Sequence, residues 1–183
     1  HQDVLTPNGS SFKASAKQDF VRANDGWFMP VSTQTGPDGC LWIMDWYDKY
    51  PCYQNARADP DGVDREHGRI WRVVWTGKEK GKAVPSRPQR GMDLAKASTT
   101  ELVGLLSHPN NWQRRMAQRL LVECADAEAR KGLNALLKNG ATVEARLAAL
   151  WTLHGLNLLE GAHLQGLISD GEPALRAWAA RLM

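Results

Sequence analysis

Gly68-Arg69-Ile70-Trp71-Arg72-Val73-Val74-Trp75 is the stretch on which the reading of the fold turns. Side chains of a strand alternate between two faces. Ile70, Arg72 and Val74 therefore share one face, and Trp71, Val73 and Trp75 share the other. Both faces carry bulky apolar groups, which predicts a strand sandwiched between layers. Upstream, Gly36-Pro37-Asp38-Gly39 is turn chemistry: Pro presets one φ and Gly tolerates a positive one. It joins a strand at Val31 to Thr35 to a second over Cys40-Leu41-Trp42-Ile43-Met44, a hairpin. Few strands with such large aromatics do not make a stable sheet alone. They predict one blade of a β-propeller, whose faces are buried by neighbouring blades.

Composition changes near residue 97. Leu occurs 3 times before Ser98 and 18 times from there on, whereas 7 of 9 Pro and 5 of 8 Trp precede it. Strands and loops are thus expected first and helices afterwards. Residues 77–97 are rich in Gly, Pro and Lys near Gly77-Lys78-Glu79-Lys80-Gly81-Lys82, without apolar periodicity, and read as a linker. In the second part three helix starts recur, at Asn111-Trp112-Gln113-Arg114-Arg115, Thr142-Val143-Glu144-Ala145-Arg146 and Glu172-Pro173-Ala174-Leu175-Arg176. Aligning Arg115, Arg146 and Arg176 gives a repeat near 30 residues. Each start pairs with a shorter apolar helix across a turn such as Lys138-Asn139-Gly140. That spacing predicts a HEAT-like α-solenoid, with an ordinary helical bundle as the alternative. The predicted organisation is the last part of a β-propeller over 1–76, a linker over 77–97 and incomplete HEAT-like repeats over 98–183.

Length and charge narrow the function. The chain has 183 residues and a net charge of +3 from 23 basic and 20 acidic residues, too mild for a nucleic-acid partner. No apolar run is long enough to span a bilayer. The chain opens at His1 and closes within a helical pattern, and is read as a piece of a longer protein. Its three cysteines, Cys40, Cys52 and Cys124, form neither a zinc ribbon nor a haem-attachment motif, and read as separate thiols or, in an exported protein, a Cys40–Cys52 disulfide.

The long loop from about Asp45 to His67 gathers the candidate site. Asp45, Trp46 and Tyr47 follow a strand directly. Aromatics beside a carboxylate suit a sugar, with the ring stacked and its hydroxyls bonded. The same residues also suit packing, with Asp45 capping a turn. His67 is a candidate base or metal ligand, or a loop-closing hydrogen-bond partner. Arg69 and Arg72 suit carboxylates, including Asp45, Asp59 or Asp64 of this chain. Asp59, Asp61 and Asp64 surround Gly62 with the oxygen density that calcium favours, although the spacing is not that of an EF-hand. The solenoid arginines are expected to bond helix C-terminal carbonyls or carboxylates.

Several runs taken together resemble one family: Trp27-Phe28-Met29-Pro30-Val31, Gly36-Pro37-Asp38-Gly39-Cys40-Leu41-Trp42, Asp45-Trp46-Tyr47-Asp48, Asp64-Arg65-Glu66-His67-Gly68-Arg69-Ile70-Trp71-Arg72-Val73, and Asn110-Asn111-Trp112-Gln113-Arg114-Arg115. It is the membrane-bound dehydrogenase family of planctomycetes and verrucomicrobia, similar to sorbosone and soluble glucose dehydrogenases. The resemblance runs from about Gly9 to Leu156. It implies a six-bladed propeller followed by HEAT-like repeats, often with a c-type cytochrome domain that would lie outside this chain. It implies oxidation of a sugar or alcohol, with electrons passed to a quinone or cytochrome, and a periplasmic or cell-envelope location. Pyrroloquinoline quinone and calcium are the implied cofactors, and haem c would sit in the further domain. The implied partners are the rest of the propeller and a cytochrome or protein partner on the solenoid. In the glucose dehydrogenase branch an Arg-x-Arg pair contacts the anionic quinone. Trp27 and Met29 stand at the matching positions and cannot neutralise carboxylates. The proton-abstracting base of that branch belongs to an earlier blade, so no catalytic residue is carried over. The alternative is a non-catalytic carbohydrate-binding or scaffold protein with an interaction surface on its repeats.

Overall fold

A computed structural model describes residues 2–50, 57–62, 64–75, 77 and 92–183. Five strands precede six helices. β1 (Gln2–Asn8) and β2 (Ser11–Lys17) form an antiparallel hairpin. Its register pairs Leu5 with Ala14 and Pro7 with Phe12. The two-residue loop between them begins at Gly9, whose φ of +61° is the left-handed conformation that short hairpins require. β3 (Pro30–Thr35), β4 (Leu41–Asp45) and β5 (Arg69–Val73) form a second, three-stranded sheet in that order. The hairpin turn falls at Gly36-Pro37-Asp38-Gly39, where Gly39 has φ +76°.

This architecture overturns the expected fold class. Among the described residues there are two small antiparallel sheets and then six helices, with no propeller blade and no closed sheet. The order of strands before helices agrees with the expectation. The error lay in taking bulky groups on both faces of a strand as proof of burial. Ile70 and Trp75 are each 67% exposed. Trp71 meets its polar need through an indole hydrogen bond, described below. The linker expected over 77–97 falls mostly outside the described residues.

The chain divides into two compact units, residues 1–33 with 43–71, and residues 34–42 with 72–183. In the second unit the turn of the β3–β4 hairpin is tied by side chains. Asp38 Oδ1 accepts from the Cys40 N–H (3.1 Å) and from Trp42 Nε1 (3.2 Å), and Oδ2 from Arg72 Nε (2.6 Å). A Cβ on the buried Gly36 would lie 2.2 Å from Trp42 Nε1, so only glycine fits there. Asn110 Nδ2 donates to the carbonyls of Gly36 (3.0 Å) and Pro37 (3.1 Å), and Gln113 Nε2 to that of Pro37 (3.3 Å).

The helices are α1 (Thr99–Leu105), α2 (Asn111–Cys124), α3 (Ala129–Asn139), α4 (Val143–Gly155), α5 (Gly161–Leu167) and α6 (Pro173–Leu182). Their starts are written in the sequence. Ser98 and Glu101 form a reciprocal capping box, Asn110 accepts from the Trp112 N–H, Thr142 accepts from the Ala145 N–H, and Pro173 opens α6. Neighbours pack as pairs, α1 with α2, α3 with α4 and α5 with α6, and pairs pack through α1 with α3, α2 with α4 and α4 with α6. Leu106, Leu121, Leu133, Leu150, Leu153 and Leu175 are fully buried between them. Each such leucine contributes roughly 1.5–3 kcal/mol of transfer free energy. Ala117, Ala149 and Ala179 are also buried and let the helices approach closely. Trp151 of α4 meets Trp178 of α6 edge to face, with ring centroids 5.3 Å apart, and the Trp151 indole N–H is buried without a hydrogen-bond partner.

The arginine pattern has a structural meaning. Arg114, Arg146 and Arg176 each occupy the fourth position of the second helix of a pair. Arg114 donates to the carbonyls of His108 (2.7 Å) and Pro109 (2.9 Å), and Arg176 to those of Asp170 (2.6 Å) and Gly171 (3.0 Å). Arg146 donates through Nε to the Leu137 carbonyl (2.8 Å) and pairs with the Asp170 carboxylate of the next pair. Arg114 and Arg176 thus tie carbonyls of the turn that precedes their helix, and Arg146 takes a carbonyl of the last turn of α3. The equivalent of Arg146 is Arg114, one residue before the Arg115 of the sequence alignment.

Candidate functional site

The first unit places two of the expected residues, Tyr47 and Arg69, around one buried carboxylate, that of Asp45. β4 ends at Asp45, whose side chain is fully shielded from solvent. Oδ1 accepts from the backbone N–H groups of Met29 (2.8 Å) and Tyr47 (3.1 Å). Oδ2 accepts from Arg69 Nε and from Trp71 Nε1, both at 2.7 Å. Burial raises the carboxyl's proton affinity, but these donors outweigh it and hold Asp45 below the usual aspartate range. Arg69 also grips Asp25, through Nη1 at 2.8 Å and Nη2 at 3.3 Å. Its hydrogen bond is the main cause that lowers Asp25, and the Asp25 bond in turn leads the causes that raise the Arg69 guanidinium.

Aromatic rings surround this ion triad. The Arg69 guanidinium lies 4.3 Å from the Tyr47 ring centroid and 5.1 Å from that of Trp71. Trp27 leans on Tyr47 at 5.1 Å with the planes 34° apart, and Phe28 meets Trp71 edge to face at 6.2 Å. Tyr47 sits at φ +58°, a conformation that costs a non-glycine residue energy, and the Asp45 bond to its N–H helps to hold it there. Trp46 instead projects outward, 61% exposed, with its backbone N–H bonded to the Met29 carbonyl (3.0 Å).

His67 lies apart from Asp45's hydrogen bonds. Its Nδ1 is 2.9 Å from Asp64 Oδ2, and Asp64 Oδ1 accepts the N–H groups of Glu66 (2.9 Å) and His67 (3.1 Å). The contact joins residues three positions apart in the loop. The three loop aspartates have different company. Asp59 takes Lys49 Nζ at 2.7 Å and the Tyr50 hydroxyl at 2.9 Å, Asp61 is exposed, and Asp64 holds His67. Among the described residues no group of three His, Cys, Asp or Glu side chains is placed to hold a metal ion. Cys40 is buried and Cys124 exposed, whereas Cys52, and with it the Cys40–Cys52 pairing, lies outside the described residues.

An open depression of about 470 Å³ adjoins the cluster. Trp27 and Tyr47 form its aromatic side, Asp61, Asp64, Arg65 and Glu66 its polar rim, and Pro60 completes the lining. Sequence reasoning pointed to Tyr47 but took Trp27 only as a substituted cofactor contact, and it overlooked Asp25. Asn24-Asp25-Gly26 looks like a plain turn, and its long-range partner is 44 residues away.

The profile of one family, described as a domain of unknown function (DUF7133), matches residues 1–77, the part that holds all five strands. No curated protein and no solved structure matches the chain.

Proposed function

We propose that this chain serves as a non-catalytic carbohydrate-binding and scaffold segment, with a sugar ring held at the Trp27–Tyr47 depression. The observation that carries the reading is the saturation of Asp45. Each of its oxygens already accepts two hydrogen bonds, so it has no lone pair to spare for a substrate hydroxyl or proton. The adjoining depression offers what Asp45 does not. Indole and phenol faces stack on the apolar face of a pyranose, and the carboxylates of Asp61 and Glu66 accept its hydroxyls. Its openness suits weak recognition of an extended saccharide surface rather than enclosure of a reacting centre. The reading keeps the sugar implied by the resemblance and assigns the described residues to binding.

The test is a titration of the chain with glucose, galactose and their oligosaccharides, followed by tryptophan emission and by amide shifts. A saturable change that Trp27→Ala abolishes supports the proposal. In parallel, dye reduction with added pyrroloquinoline quinone, with and without calcium, tests the rival reading of a sugar or alcohol dehydrogenase. Sugar-dependent reduction that His67→Ala removes would replace binding with catalysis.

A further inference from the structure

A cavity of about 480 Å³ lies in the helical unit, between α3 and α5. Its origin is in the packing. α1 packs on α3, but α5 makes no comparable contact with α3, and its pair rests on the preceding one chiefly through α4 and α6. Polar links hold α3 and α5 at one end, Arg130 to Glu160 (2.6 Å) and His163 Nε2 to Asn134 Oδ1 (3.1 Å). The Arg146–Asp170 ion pair stands at the cavity as well. Leu137, Ala162 and Leu167 supply an apolar lining.

The polar groups here are biased toward donors. The Glu160 N–H donates to His163 Nδ1 (3.0 Å), so the ring proton sits on Nε2 and is given to Asn134 Oδ1. That leaves the Asn134 amide NH₂ to donate elsewhere. Lys138, also at the cavity, has no ion-pair partner among the described residues. The one lining carboxylate, Asp170, is occupied by Arg146 and by the Glu172 N–H (2.9 Å).

We propose that this groove binds a short peptide segment of a partner protein in which an acidic side chain stands beside an aliphatic one. The acidic group pairs with Lys138, the aliphatic side chain lies on Leu137 and Leu167, and a peptide carbonyl accepts from the Asn134 amide. A nucleic acid fits poorly, because a single unpaired lysine at the groove is too little cationic charge to hold a phosphate backbone. A purely apolar helix would leave the donors of Lys138 and Asn134 unmatched. The inference uses the helical unit alone and is independent of the sugar-binding reading.

The experiment is a fluorescence-anisotropy titration of the whole chain with a labelled, end-capped Gly-Leu-Glu-Asp-Leu-Gly peptide. Its controls are the same peptide carrying Gln and Asn, and free glutamate as competitor. Saturable binding of the acidic peptide is expected, weakened about fivefold by neutralising its carboxylates, as for one partly exposed charge pair. Lys138→Glu should weaken it further, and Lys138→Arg should retain it. Gly166→Leu should block the groove without disturbing the fold, since a Cβ at Gly166 meets no atom within 4 Å. Equal binding of the neutral peptide overturns the proposal. So does displacement by free glutamate at matched concentration, indifference to both Lys138→Glu and Gly166→Leu, or no saturation up to about 1 mM, the weak end for a short peptide.

Discussion

Asp45 shows how a residue that looks chemically poised can be spent on structure. It is 3% exposed, ionised and bonded on every side, an arrangement that is costly to break from one partner. Asp45→Asn keeps the shape but turns an amide NH₂ or a weaker acceptor toward Arg69 and Trp71. We expect a loss of about 3 kcal/mol, enough to unfold this unit locally, read from the Trp71 indole N–H resonance. The pH dependence follows from direction alone. Asp45, Asp38 and Asp170 all have folded-state proton affinities below the ordinary aspartate value of 3.8. Their contribution is therefore complete above that value and is lost as pH falls through the lower folded values. Denaturant midpoints should be flat from neutrality down to about pH 5 and drop steeply below about pH 4, with a shallower acid limb in Asp45→Asn. At this scale the sequence revealed which groups were ionisable but not whom they met. Asp45 reaches Arg69 and Trp71 across 24 and 26 positions, and no local pattern encodes such pairings.

Elements were more legible where the chain carries its own punctuation. The turn at Gly36-Pro37-Asp38-Gly39 and the caps at Asn110 and Thr142 lie where turn and cap chemistry put them. The first hairpin was overlooked, although Asn8-Gly9 with Leu5 and Phe12 around it is a hairpin signal. Its strands are entirely exposed, so they lack the inside-and-outside alternation that usually betrays a strand. The starts of α2, α4 and α6 were legible, but the arginine aligned in the first was one residue off, because Arg114 and Arg115 are adjacent and only the cap decides between them. Asn110 does two tasks, capping α2 through Oδ1 and holding the Gly36 and Pro37 carbonyls through Nδ2. Asn110→Asp keeps the cap and loses both donations, so helix content by circular dichroism should hold while stability falls by about 1–2 kcal/mol. Gly36→Ala should be worse, since its Cβ would overlap the Trp42 indole.

At the level of the whole molecule the apolar core is almost wholly helical. Leu102 through Ala179 supply its contiguous cluster, while every residue of β1, β2 and β3 is exposed. Amide exchange should therefore be slowest near Leu150 and Leu153 and faster in the first hairpin by roughly two orders of magnitude or more. Comparable protection in both would contradict the burial pattern described above. The propeller expectation failed at this scale for a related reason: aromatic richness signals where apolar area lies in the chain, not whether anything covers it. Trp71 and Trp75 are partly or largely open to solvent.

The contact of Trp151 with Trp178 has an optical consequence. Two indoles 5.3 Å apart and nearly perpendicular, with interplanar angle 73°, share their excited states. That coupling gives a two-signed band in the ultraviolet dichroism, and it exists only while α6 rests on α4. The last helix pair thus carries its own chromophoric gauge of docking, which Trp178→Phe would silence while leaving an aromatic ring in place.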